Sequence, residues 1–287
     1  MFGEPVKNAT RSVSTQARVL PSAAAAGGQD GGSDDRAIVD LRDVTLSFGN
    51  SEVLAPTDLQ VRRGEFVTLY GPSGCGKSTL LNITAGLLEA GSGQALFDGR
   101  PIDGVNRNVG YMTQDDTLLP WQTLRKNVEL PLRIRKTPKA TIHARLERYL
   151  SLLDLTHAAD RYPGQLSGGM KRRALLARSM IYEPEMLLMD EPFAAVDATL
   201  RDDLHAELRK TIDTTNLTVL FVTHDVTEAV LLSDRVLVLG GRPSTVIGEY
   251  RIPFGRNRDL AAIRDSTELV QLQSQIRSTL DSGATHR

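Results

Sequence analysis

Residues 71–79 read GPSGCGKST, and no other stretch of the chain constrains its fold as tightly. In the pattern Gly71-x-x-x-x-Gly76-Lys77-Ser78 the glycines let backbone N–H groups turn inward around phosphate oxygens. The helix that follows presents its positive N-terminal end to the same anion. Such a loop must leave a buried strand and open a helix. The stretch "DLQVRRGEFVTLYG" provides the strand, and the helix is expected to run to about Ala90. Lys77 would then hold the β- and γ-phosphates of a nucleotide and Ser78 would ligate Mg²⁺, with Pro72, Ser73, Gly74, Cys75 and Thr79 completing the cradle. A chance glycine turn before a buried helix is the competing reading, and the full pattern in its strand–helix context outweighs it.

The rest of the chain fits a parallel sheet. "AIVDLRDVTLSF" and "GSGQALFDG" read as strands, and "RNVGYMTQ" as a further strand ending at Gln114. Residues 115–181 change character, with helical periodicity in "ATIHARLERYLSLLDL" and in "GGMKRRALLARSMI", the latter closed by Pro184. Apolar strands resume in "EMLLMD", "LTVLFVTH" and "DRVLVLGG" around a charged helix, "ATLRDDLHAELRKTIDTT". Near-continuous apolar strands between helices predict an α/β fold whose sheet is covered on both faces. In the tail, residues 266–287, Leu269, Leu272, Ile276 and Leu280 fall at helical spacing, for a helix docked on its own domain or on a partner.

Composition excludes several classes. Lys and Arg number 34 against 35 Asp and Glu in 287 residues, so no overall basic field recommends nucleic acid or an anionic membrane as partner. No apolar run approaches the roughly 20 residues that span a bilayer. A membrane function would therefore need another chain to cross. The lone cysteine, Cys75, excludes an intrachain disulfide. Residues 1–37 are rich in Ala, Gly, Ser and acid and read as a disordered extension. A transit peptide built on Lys7, Arg11 and Arg18 is the alternative, weakened by Glu4.

Other polar residues end apolar strands. Asp190 closes "EMLLMD" and Glu191 follows. A carboxylate at a strand's C-terminal end faces the ligand crevice of such sheets, so Asp190 can coordinate Mg²⁺ and Glu191 can orient or deprotonate an attacking water. Gln114 can contact Mg²⁺ or that water, and His224 can hydrogen-bond the γ-phosphate. Alone, a strand-end histidine is usually a capped surface residue. A second phosphate-loop-like start stands at "QLSGGMKRRALLARS", residues 165–179. Ser167 occupies an N-cap position, Gly168 and Gly169 permit close approach of an anion, and no core strand precedes them.

Taken in order, the phosphate loop, Gln114, "LSGGM", "LLMDE", "AAVD" and "VTHD" resemble the ATP-binding subunits of ABC transporters over about residues 38–255. The resemblance implies a P-loop NTPase core with an antiparallel β subdomain and an inserted helical subdomain at about 115–181, within a domain of 38–265. It also implies a head-to-tail dimer with ATP sandwiched between two copies. Ser167 and Gly169 would touch the γ-phosphate bound by the other chain, Asp197 would link the two sites, and Phe48 would stack on adenine unless it packs in the core. The family's signature ends in glutamine where this chain has Met170, whose thioether cannot make an amide's hydrogen bonds.

"TQDDTLLPWQTLRKNVELPL" and "GGRPSTVIGEYRIPF" look like the nitrate, sulfonate and taurine importer branch. Its members pair with a membrane permease and an extracytoplasmic solute-binding protein, and lie peripherally on the cytoplasmic face of the inner membrane. Pro120 and Trp121 would then sit near the permease, or Trp121 would pack inside the helical segment. A soluble ATPase acting on nucleic acid or ribosomes is the alternative; such relatives usually carry a long coiled coil, zinc motifs or a second ATPase domain. A module that holds ATP without cleaving it is a third reading, against which Glu191 and His224 argue.

Overall fold

The computed structural model describes residues 37–115, 117–194 and 196–285, so the disorder expected of residues 1–37 lies outside the described residues up to residue 36. Two sheets form the frame. The first is antiparallel, in the order β2-β1-β4-β5, from β1 (Ala37–Phe48), β2 (Ser51–Arg62), β4 (Ser92–Phe97) and β5 (Arg100–Pro101). The second has the order β10-β9-β3-β8-β7-β6. Its strands β3 (Phe66–Tyr70), β6 (Val109–Met112), β7 (Met186–Asp190), β8 (Thr218–Thr223) and β9 (Arg235–Gly240) are parallel, and β10 (Thr245–Arg251) is an antiparallel edge.

The parallel strands read as unbroken apolar runs because both of their faces are buried. Phe66, Leu187, Met189, Val219, Phe221, Val236 and Val238 enter one core. Their neighbours Val67, Leu69, Met186, Leu188, Leu220, Val222, Leu237 and Leu239 enter the other. The alternation follows from the strand period of two.

Two sequence expectations need correction. The helix after the phosphate loop, α1 (Lys77–Thr84), stops short of Ala90. Gly86 adopts φ +67°, and a Cβ there would lie 1.8 Å from the Gly104 carbonyl oxygen, so the chain turns where only glycine fits. The strand expected to end at Gln114 ends instead at Met112, where its partner β7 nears its own end, and Thr113 and Gln114 continue beyond the sheet.

Between β6 and β7 lie the helices α2 (Leu124–Ile134), α3 (Lys139–Leu152) and α4 (Gly168–Met180), packed together through Leu124, Val128, Leu132, Leu146, Leu150 and Leu176. The helices α5 (Ala198–Thr215) and α6 (Val226–Leu232) flank β8 in the chain. After a short helix α7 (Leu260–Arg264), the C-terminal helix α8 (Thr267–Thr285) docks on α6, β9 and β10, with Leu269 and Ile276 buried and the Tyr250 hydroxyl donating to the Gln275 carbonyl at 3.2 Å.

Candidate functional site: a phosphate loop facing two strand-end acids

The phosphate loop leaves β3, and the neighbouring strands in space are β8 and then β7. Three strands distant in sequence therefore deliver Lys77, His224 and Asp190 to one edge of the sheet. Gly74 and Gly76 hold φ of +78° and +89°, and a Cβ on Gly76 would lie 2.7 Å from Leu54 Cδ2. Lys77 is buried, and its Nζ donates to the Gly71 and Pro72 carbonyl oxygens at 2.9 Å each, while lying 3.8 Å from Glu191 Oε1. Its charge is thus held inside the loop that a phosphate would enter. Cys75 is buried beside it, and burial pushes its thiol up in pKa. Ser73 and Gly74 form the exposed lip, and Thr79 is half-buried in α1.

The acids differ in setting. Ser78 Oγ donates to Asp190 Oδ1 at 3.0 Å. Burial raises the Asp190 carboxyl above its usual range; the Ser78 bond and Lys77 oppose that shift and the neighbouring Glu191 charge adds to it. Glu191 holds φ +43°, uncommon for a residue with a side chain, and its N–H is tied to the Val222 carbonyl at 3.0 Å. Its Oε2 lies 2.8 Å from His224 Nδ1, so the acid and the imidazole form a pair at the mouth of the crevice.

These residues fit a magnesium nucleotide. Among the described residues no group of three or more His, Cys, Asp or Glu could hold a metal alone. The Ser78 hydroxyl beside the Asp190 carboxylate is the sparse oxygen set of an ion that completes its shell with phosphates and water.

Ser167, Gly168, Gly169 and Asp197 form a separate group. Ser167 caps α4, its Oγ accepting from the Met170 N–H at 3.3 Å, and Asp197 caps α5, accepting from the Leu200 N–H at 3.0 Å. The two helix starts touch, since a Cβ on Gly169 would lie 2.8 Å from Leu200 Cδ1. They border an open cleft of about 250 Å³ with Gly168, Lys171, Val196 and Asp197 in its wall. Among the described residues, no hydrogen bond or ion pair joins Ser167, Gly169 or Asp197 to Lys77, Asp190 or Glu191. Met170 is half-buried against the core, where a thioether packs well.

Phe48 is 53% exposed at the β1–β2 hairpin, so the core-packing alternative does not hold. Trp121 is 69% exposed and does not pack within the helical segment. Gln114 offers its carbonyl to Arg172 Nη1 at 2.8 Å, which fastens the end of the loop to α4. Sequence motifs did not single out Arg172, because the bond spans 58 positions.

A family model for ABC transporters matches residues 54–194. This chain is an ATP-binding subunit of the ABC transporter family. It is 44% identical over 216 residues to the aliphatic sulfonates import ATP-binding protein of Xanthomonas axonopodis pv. citri, covering 75% of this chain and 86% of the relative. It is 39% identical over 226 residues to a sulfate/thiosulfate import ATP-binding protein of Thermosynechococcus vestitus, covering 75% and 67%. Among solved structures it resembles a dimeric ATP-binding cassette in a post-hydrolysis state bound to ADP and Pi, with a TM-score of 0.64, 29% identity and coverage of 75% and 98%. The activity is therefore that of an ATPase coupled to transport, on the P-loop fold the sequence predicts. Among the described residues no helix is long and apolar enough to cross a membrane.

Proposed function

We propose that this ATP-binding subunit energises uptake of a small oxyanion of the nitrate, sulfonate or taurine kind through a separate permease. It would sit peripherally on the cytoplasmic face of the membrane and be served by an extracytoplasmic solute-binding protein. The names of the sulfonate and sulfate relatives support the solute class. Exposed Trp121, beside Pro120, supports a permease contact, since an aromatic at a surface is a strong interface anchor.

The observation that carries the chemistry is the chain of contacts Lys77–Glu191–His224 beside Ser78–Asp190. Gly71–Ser78 and Thr79 bind the phosphates of ATP. Ser78 and Asp190 would hold Mg²⁺, with the Gln114 side chain as a further oxygen donor to it or to the water. Glu191 orients the attacking water and accepts its proton, and His224 holds the γ-phosphate side of the crevice. Phosphoryl transfer asks for placement and charge stabilisation more than for covalent chemistry, which these groups supply. Ser167, Gly168 and Gly169 receive the nucleotide bound by a second copy, Asp197 connects the two sites, and Phe48 meets the adenine.

Glu191→Gln should bind ATP normally and hydrolyse it about 10²–10⁴-fold more slowly, the range expected for loss of a general base. In a strain lacking the gene, the wild type should restore growth on an alkanesulfonate, taurine or nitrate as sole sulfur or nitrogen source, and Glu191→Gln should not. Normal turnover by the variant removes Glu191 from its role, and normal growth of the deleted strain on all of these sources removes the solute class.

A further inference from the structure

Directly behind the Glu191–His224 pair lies a carboxylate that the hydrolysis chemistry does not touch. Glu228, in α6, is 5% exposed, and its Oε2 accepts from Thr223 Oγ1 at 2.6 Å. The same Thr223 oxygen accepts from the Asp225 N–H at 3.0 Å. The residue enclosed by that turn is His224. One buried carboxylate thus fixes, through one hydroxyl, the backbone that carries the imidazole.

The other oxygen of Glu228 faces α5. Arg201 Nε lies 3.9 Å and His205 Nε2 3.4 Å from Oε1, and both nitrogens are buried without a hydrogen-bond partner. His205 Nδ1 faces Arg264 Nη2 at 3.3 Å; accepting there places the neutral ring's proton on Nε2, toward Glu228. Arg201 reaches in the opposite direction as well, Nη2 donating to the Val196 carbonyl at 2.8 Å, one residue before Asp197.

We propose that Glu228 is a positioning residue for hydrolysis, setting His224 through Thr223 and tying that setting through Arg201 to the backbone beside Asp197. The proposal rests on Glu191 and His224 acting in hydrolysis and on Asp197 meeting the second copy. Two buried donors short of bonding are costly, and both belong to α5, so a small reorientation of α5 against α6 changes what they offer Glu228. A contact that displaces the start of α5 therefore changes how firmly His224 is held. Engagement of the second copy then reaches the acid–imidazole pair through side chains of the same chain.

The test uses the full-length protein and reads kcat, ATP affinity and melting temperature together. Thr223→Val replaces the hydroxyl by a methyl of similar size in a β-branched side chain and leaves Glu228, Arg201 and His205 in place. It should lower kcat by about tenfold or more, as losses of supporting hydrogen bonds do, with ATP affinity unchanged. Thr223→Ser, which keeps the hydroxyl, should restore kcat. Adding Glu228→Gln to Thr223→Val should cost no further activity, since the link is already cut. Wild-type kcat for Thr223→Val overturns the proposal. So does a parallel fall of kcat, affinity and melting temperature, or a Thr223→Ser variant as slow as Thr223→Val. Glu191→Gln in the same series separates the two levels: if it turns over normally, the assignment of the hydrolysis site fails, whereas a dead Glu191→Gln beside a normal Thr223→Val rejects the positioning role alone.

Discussion

At the residue scale, the site holds an acid in a place that disfavours its charge. Burial raises the Asp190 carboxyl above its ordinary value, against the pull of Ser78 and Lys77. An acid raised in the folded state keeps its proton to higher pH than in the unfolded chain. Stability is therefore lost as pH rises from about 3.9 through the raised value, and the cost persists at neutrality. Asp190→Asn keeps an oxygen for the Ser78 hydroxyl and removes the charge. In chelator, without nucleotide, it should melt higher than the wild type at pH 7, and the difference should shrink toward pH 4. A lower melting temperature at pH 7 would mean that the Ser78 and Lys77 contacts outweigh the burial. The place of Asp190 at the end of an apolar strand was legible in the sequence, where a solvated strand end is the competing reading, and the structure sets the residue against Ser78. Arg172, Arg201 and Glu228 were not legible. Their partners are backbone atoms and side chains on other elements, and a charged residue on an amphipathic helix looks the same whether it faces water or a buried oxygen.

At the element scale, alternation and strand length made the parallel sheet readable, and the position of the phosphate loop gave β3 its place beside the crevice. Ends were harder to read. The apolar run after Lys77 continues past Thr84, yet the helix stops because Gly86 must pass against the Gly104 carbonyl, a tertiary contact no local pattern records. The tail left two readings, and the structure gives the docked one: Ile276 is fully buried while Val270 on the same helix is 60% exposed. Ile276→Ala should destabilise the protein by about 2–5 kcal/mol, the range for deleting a buried aliphatic side chain. Val270→Ala should stay within about 0.5 kcal/mol. Equilibrium denaturation of the two variants decides it, and equal small effects would mean that α8 is not docked in solution.

At the scale of the whole molecule, two glycine-rich helix starts in one chain, at Lys77 and at Gly168, need a reason. Lys77 meets Glu191 and Ser78 meets Asp190 in one crevice, whereas Gly168, beside Ser167, and Asp197 line a different cleft. A two-fold pairing of identical chains would reconcile them, because in the proposed self-complementary interface the Ser167 loop of each copy would meet the phosphate loop of the other. Disabling Lys77 in one preparation and Ser167 in another makes this testable. Each homodimer then lacks an intact composite site. In an equimolar mixture half of the dimers pair one chain of each kind; one of their two sites combines the intact Lys77 with the intact Ser167, and the other carries both defects. If the sites turn over independently, activity should return to roughly a quarter of the wild-type level, against background for either variant alone. A mixture that forms heterodimers, scored by two affinity tags, and still hydrolyses no ATP above background contradicts the shared site and returns the Ser167 loop to a capped helix start. Recovery without heterodimers contradicts it equally, since a single chain would then be carrying the reaction.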